Sequence, residues 1–168
     1  MEYSETLAEI IGIILGDGSL RYDNENYKYN LTIYLNGVDD YEYFQYVKNF
    51  LDQFFQTDIY EYWYKDSENA QGNEKGVSLT IYDKEIIHSL IKKGLIPGNK
   101  IENNISVPNW IKSDNSYSLR CLKGLIDTDG YIGVVETNNP QFSKVAINFT
   151  SKLRTLVNDF KEMSEKNR

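Results

Sequence analysis

Two stretches of nine residues, 112 positions apart, end in the same way, and they constrain this chain more than any other feature of its 168 residues. The first is Ile10-Ile11-Gly12-Ile13-Ile14-Leu15-Gly16-Asp17-Gly18, the second Leu122-Lys123-Gly124-Leu125-Ile126-Asp127-Thr128-Asp129-Gly130. Leu7, Ile10, Ile11 and Ile14 recur at helical spacing, and Gly18 offers a stop. Gly12 and Gly16 stand four residues apart, as do Gly124 and Thr128, so each predicted helix carries a stripe of small residues. Glycine inside a helix costs ~1 kcal/mol relative to alanine, so its use at matching places calls for a packing reason. Small residues four apart let two helix backbones approach closely. Helices packed side by side in one direction would bring their C-terminal ends together, and with them Asp17 and Asp129.

The rest of the chain falls into a repeated order. The opening helix spans about 5–16, and strand-like stretches follow it. In 28–35, Leu31, Ile33 and Leu35 alternate with Asn30, Thr32 and Tyr34, the period of a half-buried strand. Residues 39–55 read as an amphipathic helix with Asp39 or Asp40 near its start, 57–64 and 77–82 as strands around a polar loop, and 84–93 as a helix closed by Gly94 and Pro97. Residues 97–113, with two prolines and several asparagines, read as a connector. A helix at 116–128, strands at 131–135 and 142–150 and a helix at 152–164 follow. The order helix, strand, strand, helix, strand, strand, helix thus occurs once in full, restarts, and stops after its second helix. The expected fold is α+β, one compact domain with a first repeat at 1–96, a connector at 97–113 and a truncated second repeat at 114–168.

The two helix ends have a definite chemistry. Asp17 and Asp129 each sit at the negative end of a helix dipole, where a cation is preferred, and two such carboxylates side by side repel. A hard divalent cation resolves both conflicts. Mg²⁺ needs only one or two protein carboxylates when phosphates and water complete its shell. Such a site suits phosphodiester hydrolysis, in which metal activates water and stabilises the leaving oxygen.

The second stretch, LKGLIDTDG, closely resembles the motif of the LAGLIDADG family of homing endonucleases and their maturase relatives; the first, IIGIILGDG, resembles it more loosely. The segment VPNWIKS ahead of SLRCLKGLIDTDG also looks like the family's lead-in to its second motif. The resemblance implies a homing-endonuclease-like fold of duplicated αββαββα units, with the two motif helices packed at a pseudo-two-fold interface and the second unit incomplete. It implies that Asp17 and Asp129 are the metal-binding acids for Mg²⁺ or Mn²⁺, with the carbonyls of Gly16 and Thr128 helping. Position six is Asp127 in one copy and Leu15 in the other, and is not the family's principal ligand. The family's sheets lie along the DNA major groove. The side chains expected to face double-stranded DNA are Arg21, Tyr22, Lys28, Asn30, Thr32, Tyr34, Ser78, Thr80, Tyr82, Lys144 and Asn148, although a merely solvated sheet face has the same pattern. A basic side chain near the metals often assists the family's chemistry, and Lys84 is the residue assigned to that role. The implied function is site-specific, metal-dependent DNA cleavage by an intron-encoded enzyme. The alternatives are a non-cleaving relative that binds DNA or intron RNA, and a degenerate inactive form.

Composition narrows the classes further. The net charge of -7 opposes a nucleic-acid partner. Residues 1–75 hold fifteen acids against five bases, whereas 76–168 hold ten against thirteen. A single cysteine, Cys121, and a single histidine, His88, exclude an internal disulfide and a zinc site of the usual kind. Cys121 reads as buried filler, His88 as a helix-surface or partly buried residue, and the fourteen tyrosines as sheet and core-edge packing rather than a stacking platform. No apolar run approaches a membrane span. The expected location is the cytoplasm, or an organelle matrix if the gene is organellar. The shortened second repeat fits three arrangements: a degenerate element, a partner chain completing the repeat, or a fragment of a longer protein.

Overall fold

A computed structural model describes residues 1–65, 75–136 and 143–167. The elements run α1 (Glu5–Asp17), β1 (Gly18–Asp23), β2 (Lys28–Asn36), α2 (Tyr41–Phe55), β3 (Tyr60–Tyr64), β4 (Gly76–Ile81), α3 (Lys84–Lys92), α4 (Asn109–Lys112), α5 (Asn115–Asp129), β5 (Gly130–Glu136), β6 (Ser143–Phe149) and α6 (Arg154–Lys166). This is the expected α+β order, which restarts at α5 and runs through β5 and β6 to α6. Among the described residues no helix is long and apolar enough to cross a membrane.

Two compact units form: Met1 with Asp17–Asn99, and Glu2–Gly16 with the chain from Lys100 onward. The partition departs from the repeat boundaries read in the sequence at 1–96 and 114–168, because α1 groups with the second repeat. Its residues from Leu7 to Leu15 are all buried. A helix apolar on every side belongs inside a core rather than on the edge of one sheet.

The first unit is an antiparallel sheet of order β1-β2-β4-β3. Pairing of Leu20 with Leu31 and of Ile33 with Leu79 puts Leu20, Leu31, Ile33, Leu35, Val77, Leu79 and Ile81 on one face, as the two-residue strand period requires. Helix α3 packs on β1 and β2 and buries Ile87 and Leu90, while α2 packs on β2 with Phe44, Val47 and Leu51 inward. The Phe44 ring meets Trp63 edge-on at 5.6 Å. Asp83 caps α3 by accepting from the Glu85 and Ile86 amides, both at 2.9 Å.

In the second unit, α5 begins at Asp114, whose carboxylate accepts from the amides of Ser116 at 2.8 Å and Tyr117 at 3.2 Å. The connector is pinned rather than loose. Buried Asp159 of α6 accepts from the Val107 amide at 2.7 Å and pairs with Lys112 at 2.8 Å, and Thr155 donates to the Ile105 carbonyl at 2.6 Å. Pro108 then starts the one-turn α4 inside a stretch read as irregular. Among the described residues, strands β5 and β6 pair only with each other. Phe149 stacks on Phe160 of α6 at 4.5 Å, but its face-mates Ile132, Val134, Val145 and Ile147 are 59%, 68%, 71% and 53% exposed. The matching face in the first unit is covered by α3; the second copy has no such helix among the described residues.

Candidate catalytic centre and sheet face

Contacts between α1 and α5 step forward together along both helices. Glu5 pairs with Arg120 at 3.1 Å, buried Glu9 with Lys123 at 2.6 Å, Gly12 meets Gly124, and Gly16 meets Thr128. The helices therefore run parallel, as the small-residue stripes predict. A Cβ at Gly12 would fall on the Cys121 carbonyl oxygen and 3.1 Å from the Gly124 Cα; one at Gly124 would lie 2.8 Å from the Ile13 nitrogen. Both obstacles are backbone, so neither can turn aside. A Cβ at Gly16 would overlap the Thr128 side chain, 2.6 Å from its Cβ. Thr128 itself is held, its hydroxyl donating to the Gly124 and Leu125 carbonyls, both at 3.0 Å.

At the end of this seam the Lys100 ammonium donates to the carbonyls of Leu15 at 2.9 Å and Gly16 at 2.6 Å. A cation on the last carbonyls of a helix answers the dipole's negative end. Lys100 also acts on Asp129. Partial burial raises that carboxyl above the usual aspartate range, and the Lys100 charge only partly opposes the shift. The lysine whose charge bears on the second motif's acid is therefore one the sequence reading passed over, since a connector lysine has no periodic signal. Lys84, assigned to that role in the sequence, lies at the start of α3, 4.7 Å above the Tyr29 ring centre, where a hydrogen bond with Tyr29 holds it above the usual lysine range. Asp127 pairs with Lys123 at 2.7 Å and Leu15 is buried, so the unequal sixth positions are spent on the helix surface and the core. Asp17 is the last residue of α1 and is partly buried.

The donor chemistry fits a hard cation: carboxylate and carbonyl oxygens, with one acid whose anion is poorly hydrated. Among the described residues no group of three or more His, Cys, Asp or Glu could cage an ion. A divalent ion would thus complete its shell with water and substrate oxygens, which Mg²⁺ accepts.

In the first unit, strand register sorts the residues expected on DNA. Arg21 pairs with Asn30, Ser19 with Thr32, Thr32 with Thr80, Tyr34 with Ser78, and Lys28 with Asp23, so these side chains share the face opposite the apolar one. Tyr22 does not. Its strand neighbour is Tyr29, its ring is 5.0 Å from Tyr29 and 6.1 Å from His88, and it belongs to the α3 side. The correction follows from period two: Arg21 and Tyr22, adjacent in one strand, cannot face the same way. Tyr60 and Tyr62 stand opposite Thr80 and Ser78 and join the polar face. In the second unit, Lys144 and Asn148 share a face with Tyr131 and Val135. Cys121 is fully buried, and that burial pushes its thiol far up, leaving it inert.

A family model described as the LAGLIDADG DNA endonuclease family matches residues 8–106, from within α1 to the connector. Among solved structures, the chain is similar to that titled "Crystal structure of the N-terminal LAGLIDADG domain of DUF199/WhiA", at 11% identity and a TM-score of 0.47, over 95% of this chain and 80% of that one. A search of curated proteins found no match.

Proposed function

The chain belongs to the LAGLIDADG DNA endonuclease family, and from that premise we propose that it is a Mg²⁺- or Mn²⁺-dependent endonuclease that hydrolyses phosphodiester bonds at specific sites in double-stranded DNA. The observation that carries the reading is the contact of Gly16 with Thr128, because each immediately precedes one of the two motif aspartates. Asp17 and Asp129, with the carbonyls of Gly16 and Thr128, would hold the ion. When bound, the ion supplies an activated water and charge stabilisation for the leaving oxygen. The protein's own part is to bind and orient. The glycine seam fixes the helix ends against each other. Burial of the Asp129 carboxyl disfavours its bare anion and so favours a cation beside it. Lys100 adds a fixed positive charge that attracts a phosphate oxygen. The polar sheet face, with Arg21, Lys28, Asn30, Thr32, Tyr34, Ser78, Thr80 and Tyr82, positions the nucleic acid.

The test is cleavage of a randomised-site plasmid library with and without Mg²⁺. Wild type is expected to cut only with metal, while Asp17→Asn and Asp129→Asn lose more than the roughly 10- to 100-fold that removing an outer-shell partner of a metal ligand costs. Cleavage that survives in both variants refutes the assignment. A second reading, a nucleic-acid binder that does not cut, is favoured by one contact: the Lys100 ammonium already occupies the Gly16 carbonyl. It predicts nucleic-acid affinity with no metal-dependent cuts. An intron RNA, or a second chain completing the short repeat, would be the partner in that case.

A further inference from the structure

The Gly16 carbonyl that would help to hold a divalent ion has a cation on it, the Lys100 ammonium at 2.6 Å. The same ammonium donates to the Leu15 carbonyl at 2.9 Å. Helix α1 has no basic residue in its own last turn, so Lys100, brought from the connector, supplies the positive charge that a helix C-terminus favours. A divalent ion cannot share that oxygen with it. An ion about 2.1 Å from the oxygen would lie within about 5 Å of the ammonium, and in a partly buried place like charges so close repel strongly. The lysine is anchored by its backbone. Its carbonyl accepts from the Ile105 amide at 3.2 Å, across a turn in which Asn104 adopts a φ of 47°. Ile105 is buried, and its own carbonyl accepts from Thr155 of α6 at 2.6 Å. Above that anchor the charge sits on a flexible four-carbon stem, which can swing while the turn stays in place.

We propose that Lys100 is a positioning residue acting as a tethered cation: it neutralises the end of α1 until a divalent ion takes the Gly16 carbonyl, and then leaves that oxygen for a phosphate oxygen of the substrate. The inference rests on the metal-dependent reading and adds to it an exchange of partners at one named atom. The helix end keeps a positive charge throughout, first the ammonium and then the ion. Because each ion must displace an ammonium, the exchange weakens metal binding in the absence of substrate. A phosphate that accepts the released ammonium recovers that loss, so metal and substrate each raise the other's affinity.

The test is Mn²⁺ binding to the full chain without DNA, read by titration calorimetry, together with a crystal structure of the wild type grown with Mn²⁺, whose anomalous signal locates the ion. Lys100→Met keeps the length of the side chain and drops its charge. It is expected to bind Mn²⁺ roughly tenfold or more tightly than wild type, the smallest effect a neighbouring charge of this kind has on an ionic equilibrium. In EDTA the variant should melt below wild type, because the end of α1 loses its cation, and saturating Mn²⁺ should close the gap; a merely structural lysine would leave the gap unchanged. In the wild-type crystal the ion should lie on the Gly16 carbonyl, with the ammonium beyond about 3.5 Å from it. Three results overturn the exchange: an ammonium still hydrogen-bonded to that carbonyl beside a bound ion, a Lys100→Met affinity no tighter than wild type, or an equal melting deficit with and without Mn²⁺. Mn²⁺ binding that is absent, or that persists in Asp17→Asn and Asp129→Asn, overturns the metal-site reading and the exchange together. Binding that needs both aspartates while Lys100 stays in place overturns the exchange alone.

Discussion

Gly16→Ala tests the helix seam most directly, because its sign is opposite with and without the contact. In an isolated helix the change is stabilising by up to ~1 kcal/mol. Here the new methyl would sit 2.6 Å from the Thr128 Cβ and overlap its hydroxyl. Thr128 cannot turn away without giving up its hydroxyl bonds to the Gly124 and Leu125 carbonyls, a bonding arrangement worth about 1 kcal/mol net. Overpacking in a close-packed seam costs about 1–3 kcal/mol. The balance is a net loss of about 1–2 kcal/mol, a fall in Tm of roughly 2–8 °C for a protein of this size. Thr128→Gly removes the obstructing atoms, so in that background Gly16→Ala should be neutral or stabilising. The double-mutant cycle, read by urea denaturation of all four proteins, is expected to give a coupling of about 2 kcal/mol. If Gly16→Ala stabilises by the same amount in both backgrounds, the helices do not touch there, and the main support for a shared site at their ends is gone.

Other consequences follow from the same contacts. Because burial raises the Asp129 carboxyl, its folded form binds a proton more tightly than its unfolded form, and stability falls as pH rises from the usual aspartate range through the raised value. Asp129→Asn should therefore melt higher than wild type at neutral pH, and thermal scans toward acid should show the advantage shrinking as wild type protonates. Asp159→Ala strands the Lys112 ammonium and the Val107 amide, both largely buried. It should cost about 3–5 kcal/mol in chemical denaturation, and a loss under 1 kcal/mol would show the connector is not anchored there. Leu31 and Ile147 hold corresponding places in the two sheets but are 1% and 53% exposed. Leu31→Ala should cost about 2–5 kcal/mol and Ile147→Thr no more than ~0.5 kcal/mol; similar costs would contradict the open face of the second sheet.

Much of this was readable from residue order, because the informative patterns are local. The apolar run at Leu7–Leu15, the alternation around Leu31–Leu35 and the repeated Asp-Gly ends each reflect a period set by backbone geometry. These gave the element order, its restart at the second motif helix and the small-residue seam, and the register then placed Arg21, Asn30, Thr32, Tyr34, Ser78 and Thr80 on one face as alternation requires. What the sequence could not supply was long-range. Alternation says which residues share a face but not which face is covered, so Tyr60 and Tyr62 read as packing until β4 was seen to bring them opposite Ser78 and Thr80. No period marks Lys100, which reaches back eighty-four residues to the Gly16 carbonyl. Nor could spacing show that α1 parts from its own repeat, since burial on every side depends on what surrounds a helix. Local periodicity determined the elements and their faces; the tertiary structure alone decided which distant residues meet, because those contacts depend on how chain segments far apart in sequence are folded against one another.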